Sequence, residues 1–569
     1  MLLTLLTSIA CVSPSPGPAD SNRDSAVRDS ETAQESLPDS RQETAGETSG
    51  DDTHADTDTV DTGPTLWRSA LYPEDWTPDT TDRDGHFLHD FSYAGYHAGE
   101  ADLPNPVVGS VFRVTDYGAD ATGASDSTAA VQAAIDAAAA TGSAAIVDFP
   151  AGTFRFEGTL SVTASHIVLR GAGSATSFLY FTRSDGMSDR SHITFSGTIT
   201  QGADHLLATD AENRSMTVTL TDVSGLNVGD HVALGWTITD AFTEEHGMTG
   251  VWVSFTDQWK TIFRRTITAI DPASGKITLD VPLRYPAKLR DNASLRVENG
   301  YLTEVGIQDV SVSTVNDWTA AWTVDRTHAI GLVGVRDGWI SHVKSWESPL
   351  STDGRGKHLM SGGVLVQDSR RVTVTDCDLE NAQNRGDSGN GYLYEVMRSS
   401  EVLTRDSVGK NGRHNFIQNW DFGTSGCVWL RTESSGGHSY YADWDPIGWN
   451  SYSEFHHSLA MANLIDQSTA TDGWQAVNRQ TESSGAGHSA TETVWWNTSG
   501  GGYLRSLQYG DGYVIGTDGM DVHADPTEWD WNSSGEGTEP EDWTEGIDAA
   551  STLEPASLYE DQLGRRLPP

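Results

Sequence analysis

VFRVTDYGADATGASDSTAAVQAAIDAAAATGSAAIVDFPAGTFRFEGTLSVTASHIVLRGAG spans residues 111–173 and decides the fold. VFRVTDYGA (111–119) alternates and then turns. Asp126, Ser127 and Thr128 put capping side chains ahead of AAVQAAIDAAAA, where Val131 and Ile135 share one helical face. AAIVDFPAGTFRF (144–156) reads as strand, Pro-Ala-Gly turn and strand, and HIVLRGAG (166–173) as a buried strand closed by glycines. A strand, one short helix and then strands with Gly turns predicts the capped start of a solenoid.

Beyond residue 300 a coarse repeat continues that pattern. IQDVSV, ISHVKS, VTVTDCD, LTRDSV, WLRTES, LIDQST and VWWNTS share one rhythm of apolar and polar positions. With Asp309, His342, Asp376, Asp406, Arg431, Asp466 and Asn497 taken as equivalent, the steps are 33, 34, 30, 25, 35 and 31 residues. Short strands at a steady pitch, with loops absorbing the variation, are what solenoid turns require. Cys377 is expected in an interior stack. Residues 205–285 interrupt the rhythm: LTDVSGLNVGDHVALGW and FRRTITAIDPASGKITLDVPLRY read as antiparallel hairpins of an inserted β module, with DPASGK (271–276) as a turn. Its loop EEHGMTGVW (244–252) is placed to lean over a groove. The acidic, Trp-rich tail 518–569 is expected to close the open end of the solenoid. The β-helix domain then covers 66–569.

The chain opens on MLLTLLTSIAC, a short apolar run ending at Cys11 that resembles the end of a lipoprotein export signal and makes Cys11 the lipidation candidate. It is too short to span a bilayer. Residues 12–65 form an acidic linker: thirteen acids stand against Arg23, Arg28 and Arg41 between Val12 and Gly63. Such a stretch buries too little apolar surface to offset its ordering entropy, so disorder and a tethering role are expected. The whole chain carries 36 Lys+Arg against 81 Asp+Glu, a net −45, of which the linker contributes −10 and the rest −35. That charge argues against nucleic acid and anionic membrane partners; any membrane contact runs through a lipid on Cys11, with the folded part extracellular or at the cell surface. Three cysteines make no disulfide scaffold.

DYGA, DSTAAVQAAIDAA, FPAGTFRF and HIVLRGAG resemble the N-terminal signature of the pectate-lyase-like superfamily, the branch of rhamnogalacturonase-type enzymes and phage tailspikes. The resemblance implies an all-β, right-handed parallel β-helix with an N-terminal capping helix. GRHNF (412–416), FHHSLAMANLID (455–466), DGWQAVNRQTESSGAGHS (472–489) and GYVIGTDG (512–519) resemble a group of uncharacterised bacterial secreted β-helix proteins. The motifs of polygalacturonases and of the well-known pectate lyases are absent: Thr471-Asp472-Gly473 lacks the leading Asn, and Gly487-His488 is followed by Ser489.

Polar residues crowd three successive turns. Equal positions on neighbouring turns lie about one strand spacing apart, roughly 4.8 Å, so residues distant in sequence can share a site. β-Elimination of a uronic-acid polymer needs a cation for the carboxylate, a base for the adjacent proton and an acid for the leaving oxygen. Arg413 and Arg479 suit the first task; His414, His456 or Lys410 suit the second. Asn478, Asp472 and His488, with Trp420, Trp429, Trp444, Trp449 and Trp474 as flat faces for sugar rings, are the substrate-binding candidates. His456 and His457, if strand-like, point to opposite faces, and Trp495 and Trp496 split between core and surface. The alternatives are a glycoside hydrolase, drawing two carboxylates from Asp387, Asp406, Asp443, Asp445, Asp472 and Glu482, and a non-catalytic carbohydrate binder or adhesin. Acidic loops admit calcium. A His456/His457/His488 zinc set lacks the ligand spacing of known sites.

Overall fold

Alternation within short strands sorts the side chains of this chain into columns, and the columns define its architecture. The computed structural model describes residues 65–105, 107–314, 317–439, 449–527 and 536–567; the apolar run, Cys11, most of the acidic linker, Asp443, Trp444 and Asp445 lie outside them. Strands stack in parallel into three sheets, here A, B and C, visited in turn by a right-handed β-helix. In sheet A one inward column runs Phe112, Val147, Leu169, Ile307, Ile340, Val374, Thr404, Trp429, Ile465, Trp495 and Val514. In sheet C, Leu160, Ile193, Ile330, Val364, Tyr394 and Phe416 do the same, with Trp474 and Leu504 further along. Helix Thr128–Ala139 caps the first coil, burying Val131 and Ile135. Its cap differs in detail from the expectation: Ser127 Oγ accepts no capping bond, and Asp126 Oδ1 accepts from the Thr128 amide instead.

The corner between sheets A and B is a single left-handed residue. Asp309, His342, Asp376, Asp406, Arg431, Gln467 and Asn497 have φ of 60, 52, 54, 47, 48, 50 and 52°. Six match the repeat read from sequence. The seventh is Gln467 rather than Asp466, because register pairs Leu430 with Asp466 and so Arg431 with Gln467. Inside the corner, Val310, Val343 and Cys377 give way to Ser407, Thr432, Ser468 and Thr498 in successive coils, and Cys377 is buried as expected. Gly171 lies beside the first of these corners, where an added Cβ would collide with the Asp309 carbonyl oxygen.

The inserted module leaves the coil after strand Ser191–Ser196. Its antiparallel sheet reaches from Thr200–Gln201 to Ser294–Asn299, which pair with each other at its base. The turn at 271–276 joins two paired strands as expected. The 217–237 stretch is no hairpin: Thr217–Thr219 pairs with Lys276–Leu279, and His231–Thr237 lies between Trp259–Asp271 and Ser294–Asn299. The module docks on the coil through buried ion pairs, Arg265 and Arg284 on Glu401 and Asp280 on Arg370 and Arg371.

The tail does not simply plug the open end. Trp543–Glu545 adds a last strand to sheet A, and helix Leu558–Arg566 packs on that sheet's outer face together with Leu71, Tyr72, Trp76, Leu88 and Phe91. The outward column of sheet A is apolar from Leu403 through Val428, Leu464 and Val494 to Tyr513, and that column has to be covered. Trp495 and Trp496 do face opposite ways, yet both are buried, one in the coil and one under this strap. Among the described residues no helix is long and apolar enough to cross a membrane.

Candidate active-site cleft on sheet C

The outer face of sheet C carries the column Leu365, Glu395, Ile417, Glu454, Gln475 and Arg505. Both carboxylates are buried, so each must be paired. Glu395 accepts from Arg326 Nη2 at 2.6 Å and Asn419 Nδ2 at 3.0 Å, with His328 Nε2 2.8 Å from its other oxygen. Burial alone would raise its pKa; Arg326 and His328 hold it well below the usual range. Glu454 accepts from Gln475 Nε2 on one oxygen and from His456 Nδ1 on the other, and His414 Nε2 stands 3.4 Å from that second oxygen. Burial opposes its ionisation too, and the surrounding His414, His456 and Arg479 overcome it.

His414 begins strand His414–Gln418 and gives its Nδ1 proton to the Tyr452 carbonyl at 2.6 Å. Burial pushes its pKa down to about 4 against the pull of Glu454, so the ring is neutral near pH 7. His456 and His457 follow strand Ser453–Phe455 in a bend, and Ser458 and Leu459 take φ of 34 and 46°. Strand alternation has ended there, so both rings border one cleft, against the expectation of opposite faces. His456 directs Nε2 toward Ser483 Oγ at 3.4 Å, and burial followed by Arg479 keeps its pKa well below the ordinary histidine value. His457 packs 4.4 Å from Trp420, ring centre to ring centre, and burial brings it to about 3.

The cleft encloses about 640 Å³ between the loops that enter and leave sheet C. Arg413, Tyr392, Trp420, His456, His457 and Ser483 line it, with Asp387 and Glu482 on its rims. Arg413 donates to the Gly386 carbonyl at 2.6 Å and lies 3.9 Å from Asp387, leaving other guanidinium donors uncommitted. Arg479 donates to the His456 carbonyl at 2.9 Å and so fixes the bend that carries the ring. Tyr392 lies 5.3 Å from His414 and 6.2 Å from His456 by ring centres, and burial raises its phenol to about 12.

The structure therefore brings together Arg413, His414, His456, Arg479 and Trp420, keeps Asp387 and Glu482 on the rims of the same cleft, and sends the remaining described candidates elsewhere. Lys410 ends a strand of sheet B, in register with Glu380 and Ser435. Asn478 closes a turn, donating to the Glu536 carbonyl and accepting from the Gln480 amide. Asp472 is sealed in a corner by Ser434 Oγ, Asn415 Nδ2 and the Gly437 amide. His488 meets the His246 carbonyl where the module docks, which also dissolves the supposed three-histidine zinc set. Trp474 and Trp429 belong to the interior columns, because at their positions alternation points inward. Asp406 pairs with Arg405 and Arg431 on the flank of sheet A. Glu395, Glu454, Tyr392 and Ser483 escaped the sequence reading. The available signal was a lone Glu inside apolar strand text, YLYEVM and SEF.

For a metal, the one group of three donor atoms lying within 4.8 Å of one another among the described residues is His414, Glu454 and His456. Two imidazoles and one carboxylate do not suit calcium, which takes oxygen ligands. The set is closer to a zinc shell, although His456 Nδ1 is committed to Glu454.

Residues 111–253 match the family model described as rhamnogalacturonase A/epimerase, pectate lyase-like. The match covers the first coils and half of the inserted module, and of the residues lining the cleft it contains Asp189 alone. No curated protein matches the chain. Among solved structures, the tailspike gp49 of Pseudomonas phage LKA1 has 14% identity and a TM-score of 0.37, over 72% of this chain and 76% of its own. The Gp54 tailspike of Acinetobacter baumannii bacteriophage AP22, solved with a capsular saccharide, has 9% identity and a TM-score of 0.39, over 83% and 72%. The A-module of the Azotobacter vinelandii mannuronan C-5 epimerase AlgE6 has 12% identity and a TM-score of 0.30, over 77% and 98%.

Proposed function

We propose that this protein is a carbohydrate-active enzyme that cleaves an acidic polysaccharide by β-elimination in the sheet C cleft. The observation that carries the reading is the meeting of a cation, a neutral imidazole and a protonated phenol, Arg413, His456 and Tyr392, on one cleft wall. Arg413 takes the uronate carboxylate through its uncommitted donors. His456, its Nδ1 proton given to Glu454, presents the Nε2 lone pair and accepts the proton α to that carboxylate. As the double bond forms and the C–O bond breaks, Tyr392 protonates the departing oxygen; a phenol raised to about 12 keeps its proton until then. Trp420 offers a flat face for a neighbouring ring. The match of residues 111–253 to a rhamnogalacturonase A/epimerase family supports a saccharide substrate. An apolar leader ending at Cys11 and an acidic tether fit export of such an enzyme to the cell surface.

Hydrolysis is the second reading, and Asp387 and Glu482, on loops entering and leaving sheet C, are the residues it would use. Glu395 and Glu454 are unsuited as its acid, because their partners hold both ionised. A panel of polysaccharides, followed by the ultraviolet absorbance of an unsaturated uronate beside a reducing-end assay, separates the readings. Elimination predicts both signals, with His456→Ala losing on the order of 10²–10⁴ in rate. Reducing ends without absorbance would replace elimination by hydrolysis, and binding with neither signal would leave an adhesin.

A further inference from the structure

Ser483 Oγ, His456 and Glu454 form a relay: hydroxyl to Nε2 at 3.4 Å, and Nδ1 to carboxylate. The carboxylate is itself fixed on its far oxygen by Gln475 Nε2. This is the order of groups that activates a serine, with a nucleophile, a base, and a third group that sets the base's tautomer. A serine on an exposed loop often meets a histidine by chance, and the backbone here argues otherwise. Ser483 (φ 50, ψ 42) and Ser484 (φ 66, ψ 33) are consecutive residues with side chains in the left-handed region. Such a conformation costs free energy and persists only where the surroundings enforce it.

The inserted module does the enforcing. Trp252 Nε1 donates to the Ala486 carbonyl at 3.0 Å and Ser254 Oγ to the Ser484 carbonyl at 3.3 Å. Gly485 and Gly487 admit the module so closely that a Cβ on either would overlap Val251 or Trp252. The EEHGMTGVW loop, expected to lean over a groove, thus clamps the segment that presents Ser483.

We infer that the same cleft hydrolyses ester-linked acyl groups, with Ser483 as nucleophile, His456 as base and Glu454 as its positioning partner. The substrate class is an O-acyl ester, such as an acetylated sugar hydroxyl. Ser483 Oγ bonds to the acyl carbon while its proton passes to His456 Nε2. The ester C–O bond breaks and the sugar alcohol leaves with that proton. Water, deprotonated by the same nitrogen, then releases the carboxylic acid and restores Ser483. The inference shares the His456 base and the saccharide-binding cleft with the elimination reading.

The test is covalent labelling of the full chain with a fluorophosphonate, the adduct located by peptide mass mapping, beside hydrolysis of nitrophenyl acetate. It needs no polysaccharide, so an inactive panel leaves it standing. The expected result is an adduct on Ser483, absent from Ser483→Ala, with labelling and ester hydrolysis at least about 100-fold slower in His456→Ala and slowed in Glu454→Gln. Thermal melting of each variant shows that it is folded. No adduct on Ser483 in folded protein overturns the inference, as does labelling at an unchanged rate in His456→Ala.

Discussion

His414, His457 and His488 are buried and neutral, and burial lowers their pKa to about 4, 3 and 3. In the unfolded chain each returns to about 6.5. Between those values the unfolded state binds more protons than the folded one, so stability falls as pH falls from about 6.5 toward 4. Unfolding midpoints in urea are expected to drop steadily from pH 7 to pH 5, and His488→Asn to flatten that slope by up to one proton; a midpoint independent of pH across this window would contradict the assignment. Glu454, with its depressed carboxyl, contributes in the usual carboxylate sense and only at lower pH. At this scale the sequence exposed residues whose chemistry is local, Arg413 and His456 among them. It hid Glu454 and Ser483, since a strand glutamate and a loop serine become partners of His456 only when the 477–489 loop folds back over the bend.

The coil corners set the pitch of the β-helix, and there text and structure nearly coincide, because every corner residue is polar and four of the seven are Asp or Asn, the side chains that most readily enter the left-handed region. Asp466 shows what one position of register is worth. It is a strand residue facing outward, fully buried, with its carboxyl raised by burial to about 7. It accepts from Ser557 Oγ at 2.7 Å and the Tyr559 amide at 2.9 Å, tying helix Leu558–Arg566 to sheet A. Asp466→Ala removes both acceptors and is expected to cost about 1–3 kcal/mol. Asp466→Asn keeps an acceptor oxygen without a charge to bury, so its melting temperature should match or exceed the parent's at pH 8. No loss in Asp466→Ala would show that the helix is held by its apolar contacts alone.

On the scale of the whole molecule, scarce cations are spent on holding the module to the coil. Glu401 and its partners Arg265 and Arg284 have fully buried side chains, with ion-pair distances of 3.5 and 3.1 Å. Glu401→Gln leaves two guanidinium groups without a counter-charge, and a loss of about 3–5 kcal/mol in unfolding free energy is expected. A cost under 1 kcal/mol would mean that the module is seated by its hydrophobic face instead. Because the module also clamps the Ser483 loop, any partial undocking of it should slow fluorophosphonate labelling. The sequence by itself determined the β-helix, its capping helix and the presence of an antiparallel insertion, since period, turn chemistry and capping are written within a few residues of one another. Only the tertiary structure decided which face each tryptophan took, what covers sheet A and which polar groups meet in the cleft. Those depend on inward or outward facing, which one residue of register inverts, and on contacts between segments tens to hundreds of residues apart.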